Sequence, residues 1–198
     1  MEIIPTILEK DLTLAENRFS QVKNLSSWVQ IDVTDNVFVP GKSIELELFS
    51  KFGQTYSTLF DIHLMVKEPI NWIKKCLFID ASRIYGQVEM MSDRELFVTE
   101  AKNSGLEVGL AFNIDTPIDN IPSECDLILL MGRPAGFGNY PLDERIYQRI
   151  VEAKKFGKKI ALDGGVTPDN FQKLKDSGLD IIYLGQYFLN LINEKKDL

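Results

Sequence analysis

At 198 residues with 44% apolar content, the chain can bury one sizeable core and is short for two typical domains, so a single domain over 1–198 is expected. A formal net charge of −7, with the basic residues scattered rather than blocked, argues against nucleic acid or an anionic membrane surface as a partner. No apolar stretch approaches the ~18 residues of a transmembrane span, and Met1-Glu2-Ile3-Ile4-Pro5 carries no basic leader region, which makes the cytoplasm the expected location.

Short apolar runs alternate with amphipathic segments along the whole chain. The expected strands are 2–8, 28–32, 58–64, 82–88, 106–112, 125–131, 158–163 and 180–184. The expected helices between them are 11–24, 43–53, 68–77, 93–104, 115–121, 143–156 and 167–177, with a last one at 186–195. Asp11, Ser92-Asp93 and Thr167-Pro168-Asp169 carry helix-start chemistry, and Gly105, Gly157 and Gly178 stand where left-handed C-caps are wanted. Eight βα units without a linker imply a closed (β/α)8 TIM barrel, at the short end of its length range. A doubly wound open sheet is the alternative, but no Gly-x-Gly-x-x-Gly follows the first strand. Cys76 and Cys125 are isolated, fit no metal spacing, and read as reduced core thiols.

Three of these runs end in a lone polar group: Asp32 after Trp28-Val29-Gln30-Ile31, His63 within Asp61-Ile62-His63-Leu64-Met65-Val66, and Asp163 after Lys159-Ile160-Ala161-Leu162. On a barrel these side chains converge at the C-terminal mouth, where such folds place their chemistry. Two carboxylates can act as paired acid and base, one taking a proton from a carbon and the other returning one to the opposite face, which is what an epimerase requires. A divalent cation held by Asp32, His63 and Asp163 would stabilise the intervening enediolate. The bland reading is that Asp32 and Asp163 cap loops or pair with Lys and Arg. Asp163-Gly164-Gly165-Val166-Thr167-Pro168 sets two glycines between a strand and a helix start, where amides can approach an anion. Gly136-Phe137-Gly138 after the sixth strand and Gly185 after the eighth repeat the signal.

Taken together these motifs resemble the ribulose-phosphate 3-epimerase family over almost the whole chain. Ile4-Pro5-Thr6-Ile7-Leu8 is similar to its I-x-P-S-I-L, Asp32 to Pro40 to its D-V-M-D-G-x-F-V-P, and Asp61-Ile62-His63-Leu64-Met65-Val66 to its D-x-H-L-M-V. Gly109-Leu110-Ala111-Phe112-Asn113 through Thr116-Pro117, then Leu129-Leu130-Met131, Gly136-Phe137-Gly138 and Asp163-Gly164-Gly165-Val166, follow in family order. The resemblance implies a barrel that interconverts D-ribulose 5-phosphate and D-xylulose 5-phosphate. Asp32 and Asp163 would be the acid/base pair, and Asp32, His63 and Asp163 would bind a divalent metal (Zn²⁺, Fe²⁺, Mn²⁺ or Mg²⁺). Around the phosphorylated ketose it implies Thr6, His63, Met65, Met131, Gly136, Gly138, Gly164, Gly165, Gly185 and Gln186.

The chain departs from the pattern at several points. Gln30 stands where the family's H-x-D has a metal-binding histidine, which disfavours Zn²⁺ and Fe²⁺ relative to Mg²⁺ and Mn²⁺. Gln87-Val88-Glu89 replaces H-x-E, Thr6 a serine and Thr34 a methionine. Asn139-Tyr140 and Gln186 alter the phosphate loops. These changes keep two alternatives in view: an epimerase of another ketose phosphate, such as a ketohexose 6-phosphate, and a noncatalytic barrel that has lost metal and phosphate. Decarboxylases and aldolases with D-x-K-x-x-D are disfavoured because Asp32-Val33-Thr34-Asp35 has no lysine, and no strand interior offers a Schiff-base lysine. Self-association into a homo-oligomer is left open.

Overall fold

In a computed structural model, which describes residues 1–53 and 57–194, eight parallel strands close into a barrel in chain order. They are β1 (Glu2–Ile7), β2 (Trp28–Thr34), β3 (Leu59–Met65), β4 (Ala81–Gln87), β5 (Glu107–Phe112), β6 (Leu127–Met131), β7 (Lys159–Asp163) and β8 (Ile181–Leu184). The last strand pairs with the first, Tyr183 beside Ile4, so the sheet has no open edge. All eight expected strands are present, and the open-sheet alternative falls away. Residues 54–56 and 195–198, which the expected domain 1–198 includes and the expected helix 186–195 touches, lie outside the described residues.

Among the described residues seven helices lie around the barrel: α1 (Leu12–Val22), α2 (Ser50–Gly53), α3 (Ile73–Phe78), α4 (Arg94–Asn103), α5 (Ile146–Lys154), α6 (Pro168–Asp176) and α7 (Tyr187–Glu194). Their starts follow local chemistry. Asp11 accepts from the Leu14 amide at 3.1 Å, Asp93 accepts from the Leu96 amide at 2.9 Å, and Thr167 with Asn170 forms a capping box behind Pro168. α1 buries Ala15, Phe19 and Val22, spaced four and three residues apart on one face against the sheet.

The helix expected at 115–121 is absent, since residues 113–126 carry no helix. Pro117 biases Thr116 away from helical backbone, and the turn is held instead by its neighbours. Glu89 accepts from the Asn113 amide and the Thr116 hydroxyl, while Arg149 donates to the carbonyls of Asn113 and Thr116. The expected helices at 43–53 and 68–77 are each split, with 3₁₀ turns Leu46–Phe49 and Pro69–Trp72 leading into α2 and α3.

Period-two alternation sorts the strand residues into two cores. Val29, Ile31, Val33, Phe60, Ile62, Leu64, Ile160 and Leu162 face the helices in a continuous outer layer. Ile4, Tyr85, Ala111, Leu127, Leu129, Ala161, Ile181 and Tyr183 fill the barrel interior. The same alternation turns Gln30, Asp32, Asp61, His63, Arg83 and Gln87, all buried, away from the outer layer and into the barrel.

Candidate active site

Strand register brings the three singled-out residues to one level. Asp32 is the neighbour of His63 across β2 and β3, and Asp163 pairs with Met131 on β6 and Tyr183 on β8. His63 is fully buried, and its Nδ1 lies 3.2 Å from Asp32 Oδ1 and 3.4 Å from Asp163 Oδ2. The two carboxylates keep 7% and 13% of their side-chain surface exposed, facing the cavity. The three donor atoms lie within 4.8 Å of one another.

The electrostatics follow from this crowding. Burial disfavours the imidazolium, but the hydrogen bonds and charges of Asp163 and Asp32 outweigh it and raise His63 to about 9. Burial, then repulsion from Asp163, pushes Asp32 up to about 6, while His63 and Arg133 pull the other way. One imidazolium thus faces two carboxylates, leaving an excess of buried negative charge. Two oxygens and one nitrogen converging with that excess suit a divalent cation. Gln30, one step down the interior face of β2 from Asp32, is fully buried, and neither Oε1 nor Nε2 finds a partner among the described residues. His63 Nε2 and both polar atoms of Gln87 are likewise without partners there.

Above the carboxylates opens a cavity of about 580 Å³, within the range that small-molecule sites use. It brings together Thr6, Met65, Met131, Gly136, Gly138, Gly164, Gly185 and Gln186 from the sequence-predicted set. His63 does not reach its surface, because it sits behind the two carboxylates. Gly165 does not line it either. It has φ +76°, a Cβ there would stand 2.7 Å from Leu142 Cα, and its carbonyl accepts from Asn170 Nδ2. Its role is to let the loop after β7 pack closely. Asn139, from the altered loop after β6, does line the cavity.

Two cavity cations escaped the sequence reading. Arg18 on α1 and Arg133 in the loop after β6 both line the cavity. The unusual Gly132-Arg133-Pro134 was the available signal for the second; a lone arginine on an amphipathic helix gave none for the first. Also missed was a second interior cluster below the site, in which Arg83 bonds Asp61 at 3.0 Å and Glu107 at 2.7 Å, and Tyr183 donates to Asp61 and accepts from the Tyr85 hydroxyl at 3.1 Å.

A closed parallel barrel with an Asp-His-Asp cluster under a polar cavity defines the chain as a TIM-barrel protein with the groups for acid/base chemistry. Residues 2–189 match the ribulose-phosphate 3 epimerase family, and the chain belongs to it. It is 30% identical over 192 residues to the ribulose-phosphate 3-epimerase of Buchnera aphidicola subsp. Baizongia pistaciae, covering 91% of this chain and 84% of that one. It is 26% identical over 207 residues to that of Bacillus subtilis, covering 99% and 95%. Among solved structures, a tryptophan synthase alpha-subunit variant from Pyrococcus furiosus superposes with a TM-score of 0.72 at 14% identity, covering 98% of this chain and 91% of that one. Phosphoribosyl anthranilate isomerase from Thermus thermophilus gives 0.67 at 13%, covering 93% and 87%. These last two likenesses speak for the barrel fold alone.

Proposed function

We propose that this epimerase-family chain interconverts D-ribulose 5-phosphate and D-xylulose 5-phosphate. The observation that carries the reading is the convergence of Asp32 and Asp163, from β2 and β7, on His63 at the floor of a polar cavity. One carboxylate removes the C3 proton and becomes a carboxylic acid. The other, entering as the acid, returns a proton to the opposite face of C3, and the electron pair rests meanwhile on the enediolate oxygens. Burial and repulsion from Asp163 raise Asp32 to about 6 in the metal-free site, nearer neutrality than an ordinary carboxylate. His63 holds both carboxylates in place. Asp32, His63 and Asp163 would hold a divalent cation, which would supply positive charge for the developing enediolate.

The glycines after β6, β7 and β8 give the phosphate end room, and the buried thiols Cys76 and Cys125 suit a reducing cytoplasm. Among the described residues no helix is long and apolar enough to cross a membrane. Because Asn139 and Gln186 line the cavity, a ketohexose 6-phosphate is the second substrate to assay. The test is a coupled epimerase assay after chelation, with Mn²⁺, Zn²⁺, Fe²⁺ or Mg²⁺ restored one at a time. Turnover of ribulose 5-phosphate that depends on added metal supports the reading. Full turnover without any metal removes the cation from it, and no turnover of either sugar with any metal leaves a noncatalytic barrel.

A further inference from the structure

The cavity poses an electrostatic problem for the substrate assigned to it. Its floor carries Asp32 and Asp163, Glu9 stands on its wall, and the chain as a whole carries a net charge of −7. A sugar phosphate brought into that field is repelled unless local positive charge receives it. Backbone amides give partial charge, yet the glycine loops after β6 and β8 are altered from the family pattern.

Arg18 and Arg133 are placed to meet that need. Because β6, β7, β8 and β1 are consecutive neighbours in the closed barrel, the loop after β6 and helix α1 flank the loops after β7 and β8. Arg133 reaches across Gly164, where a Cβ would stand 3.0 Å from its Nε, and donates to the Gly138 carbonyl. From the other side Arg18 donates to the Gly185 carbonyl. Arg83, Arg94 and Arg145 each pair with a carboxylate. Neither Arg18 nor Arg133 has such a partner among the described residues, and both rest on neutral carbonyls at the cavity wall. A half-buried guanidinium answered only by a carbonyl keeps most of its capacity for a bidentate anion. Burial of Arg18, which Glu9 only partly offsets, lowers its pKa and marks a cation short of counter-charge.

We propose that Arg18 and Arg133 are the specificity-determining residues for the anionic end of the substrate: both guanidinium groups leave the carbonyls of Gly185 and Gly138 and close on one phosphomonoester. The clamp rests on the ketose-phosphate reading of the site and deepens it. It assigns recognition of the phosphate to side chains where loop amides alone were expected.

The test compares Arg18→Met, Arg133→Met, the double variant and the two lysine variants. Inorganic phosphate binding is followed by calorimetry, and KM and kcat are measured on ribulose 5-phosphate. Each methionine is expected to weaken phosphate binding by about tenfold to a hundredfold and to raise KM similarly, with kcat far less affected. Lysine, which keeps the charge but not the fork, recovers part of the affinity, and it carries the same test should a methionine variant fail to fold. If the arginines only tie loops together, the melting temperature falls and phosphate affinity is unchanged, which overturns the clamp. Turnover with an arginine-independent KM also overturns it while leaving the reaction standing. Arginine-dependent phosphate binding by a wild type that epimerises nothing keeps the clamp and ends the proposed reaction.

Discussion

The barrel interior holds two polar clusters built from similar groups, one interior step apart along β3, and they solve opposite problems. At the lower one, Asp61 and Glu107 share Arg83, whose guanidinium also lies 4.2 Å from the Trp28 ring centroid, and Tyr183 and Tyr85 close the network. Burial pushes Asp61 up to about 7 against the pull of Arg83 and Tyr183, and the surrounding negative groups hold Arg83 well above its usual range. At the upper one, Asp32 and Asp163 share only an imidazole, whose far nitrogen has no partner among the described residues. The lower cluster is supplied with its own cation, and Glu107, 26% exposed, takes a second one from Lys159 at 3.0 Å. The upper one is left short of positive charge and opens to the cavity. Buried carboxylates become structural or chemical according to which partners the neighbouring strands provide.

Removing a group from each cluster should separate the two roles. Asp32→Asn and Asp163→Asn are each expected to reduce exchange of the substrate C3 proton by about 10²–10⁴-fold, read by deuterium incorporation from heavy water. Stability of the metal-free fold should hold or rise, since the amide relieves a buried like-charge contact. Unchanged exchange in either variant ends the two-carboxylate mechanism. Arg83→Met should do the reverse. It strands Asp61 in the interior and is expected to lower unfolding free energy by about 3–5 kcal/mol, measured by urea denaturation. Arg83→Met combined with Asp61→Leu should recover much of that loss. A single variant as stable as wild type would show that the lower cluster does not hold the barrel.

The upper cluster was legible because each member interrupts a short apolar run, Asp163 at the end of β7 and Asp32 and His63 two residues before the ends of β2 and β3, and period-two alternation then fixes the face on which each appears. The lower cluster was not, since Asp61 and Arg83 face each other only through the register shift at Phe60/Asp61 between β3 and β4, which no local pattern announces. The strands were legible throughout, as short, largely apolar runs alternating with amphipathic segments. The turn after β5 was misread because its hydrogen bonds come from Glu89 and Arg149, 24 and 36 residues distant from Asn113. Arg18 and Arg133 meet one cavity only because β8 returns to β1, and sequence spacing carries no trace of that closure.

The two clusters also differ in their response to pH. His63 is raised to about 9 from an ordinary 6.5, so the native state holds its proton more tightly than the unfolded chain. Its contribution to stability is complete below about pH 6.5 and is lost as pH rises through 9. Asp61, raised to about 7, loses its own contribution as pH rises from about 4 through 7. Thermal melting of the metal-free protein between pH 7.5 and 9 therefore reports chiefly on the upper cluster, and stability is expected to decline across that window. His63→Asn should flatten the decline. Saturating Mn²⁺ should oppose it as well, because a cation displaces the imidazole proton and binds more tightly as pH rises. A decline that persists unaltered in His63→Asn places its origin outside this cluster.

The smallest effect concerns Gln30, which lies on the upper side of the comparison by position and on neither side by bonding. Its amide is fully buried with both polar atoms unanswered among the described residues, and such atoms cost about 1–3 kcal/mol. Gln30→Met, close in volume, should therefore stabilise the metal-free fold by about 1 kcal/mol. If Gln30 Oε1 serves the cation, the same variant weakens Mn²⁺ binding, whereas Gln30→His tightens Zn²⁺ or Mn²⁺ by about tenfold because imidazole nitrogen suits these ions better than an amide oxygen. Calorimetry on the metal-free protein separates the outcomes. Metal affinity that is unmoved by both substitutions leaves Gln30 a plain packing residue and confines the cation to Asp32, His63 and Asp163. A gain with histidine and a loss with methionine extend the metal-holding set by one interior position of β2 toward the Arg83 cluster below.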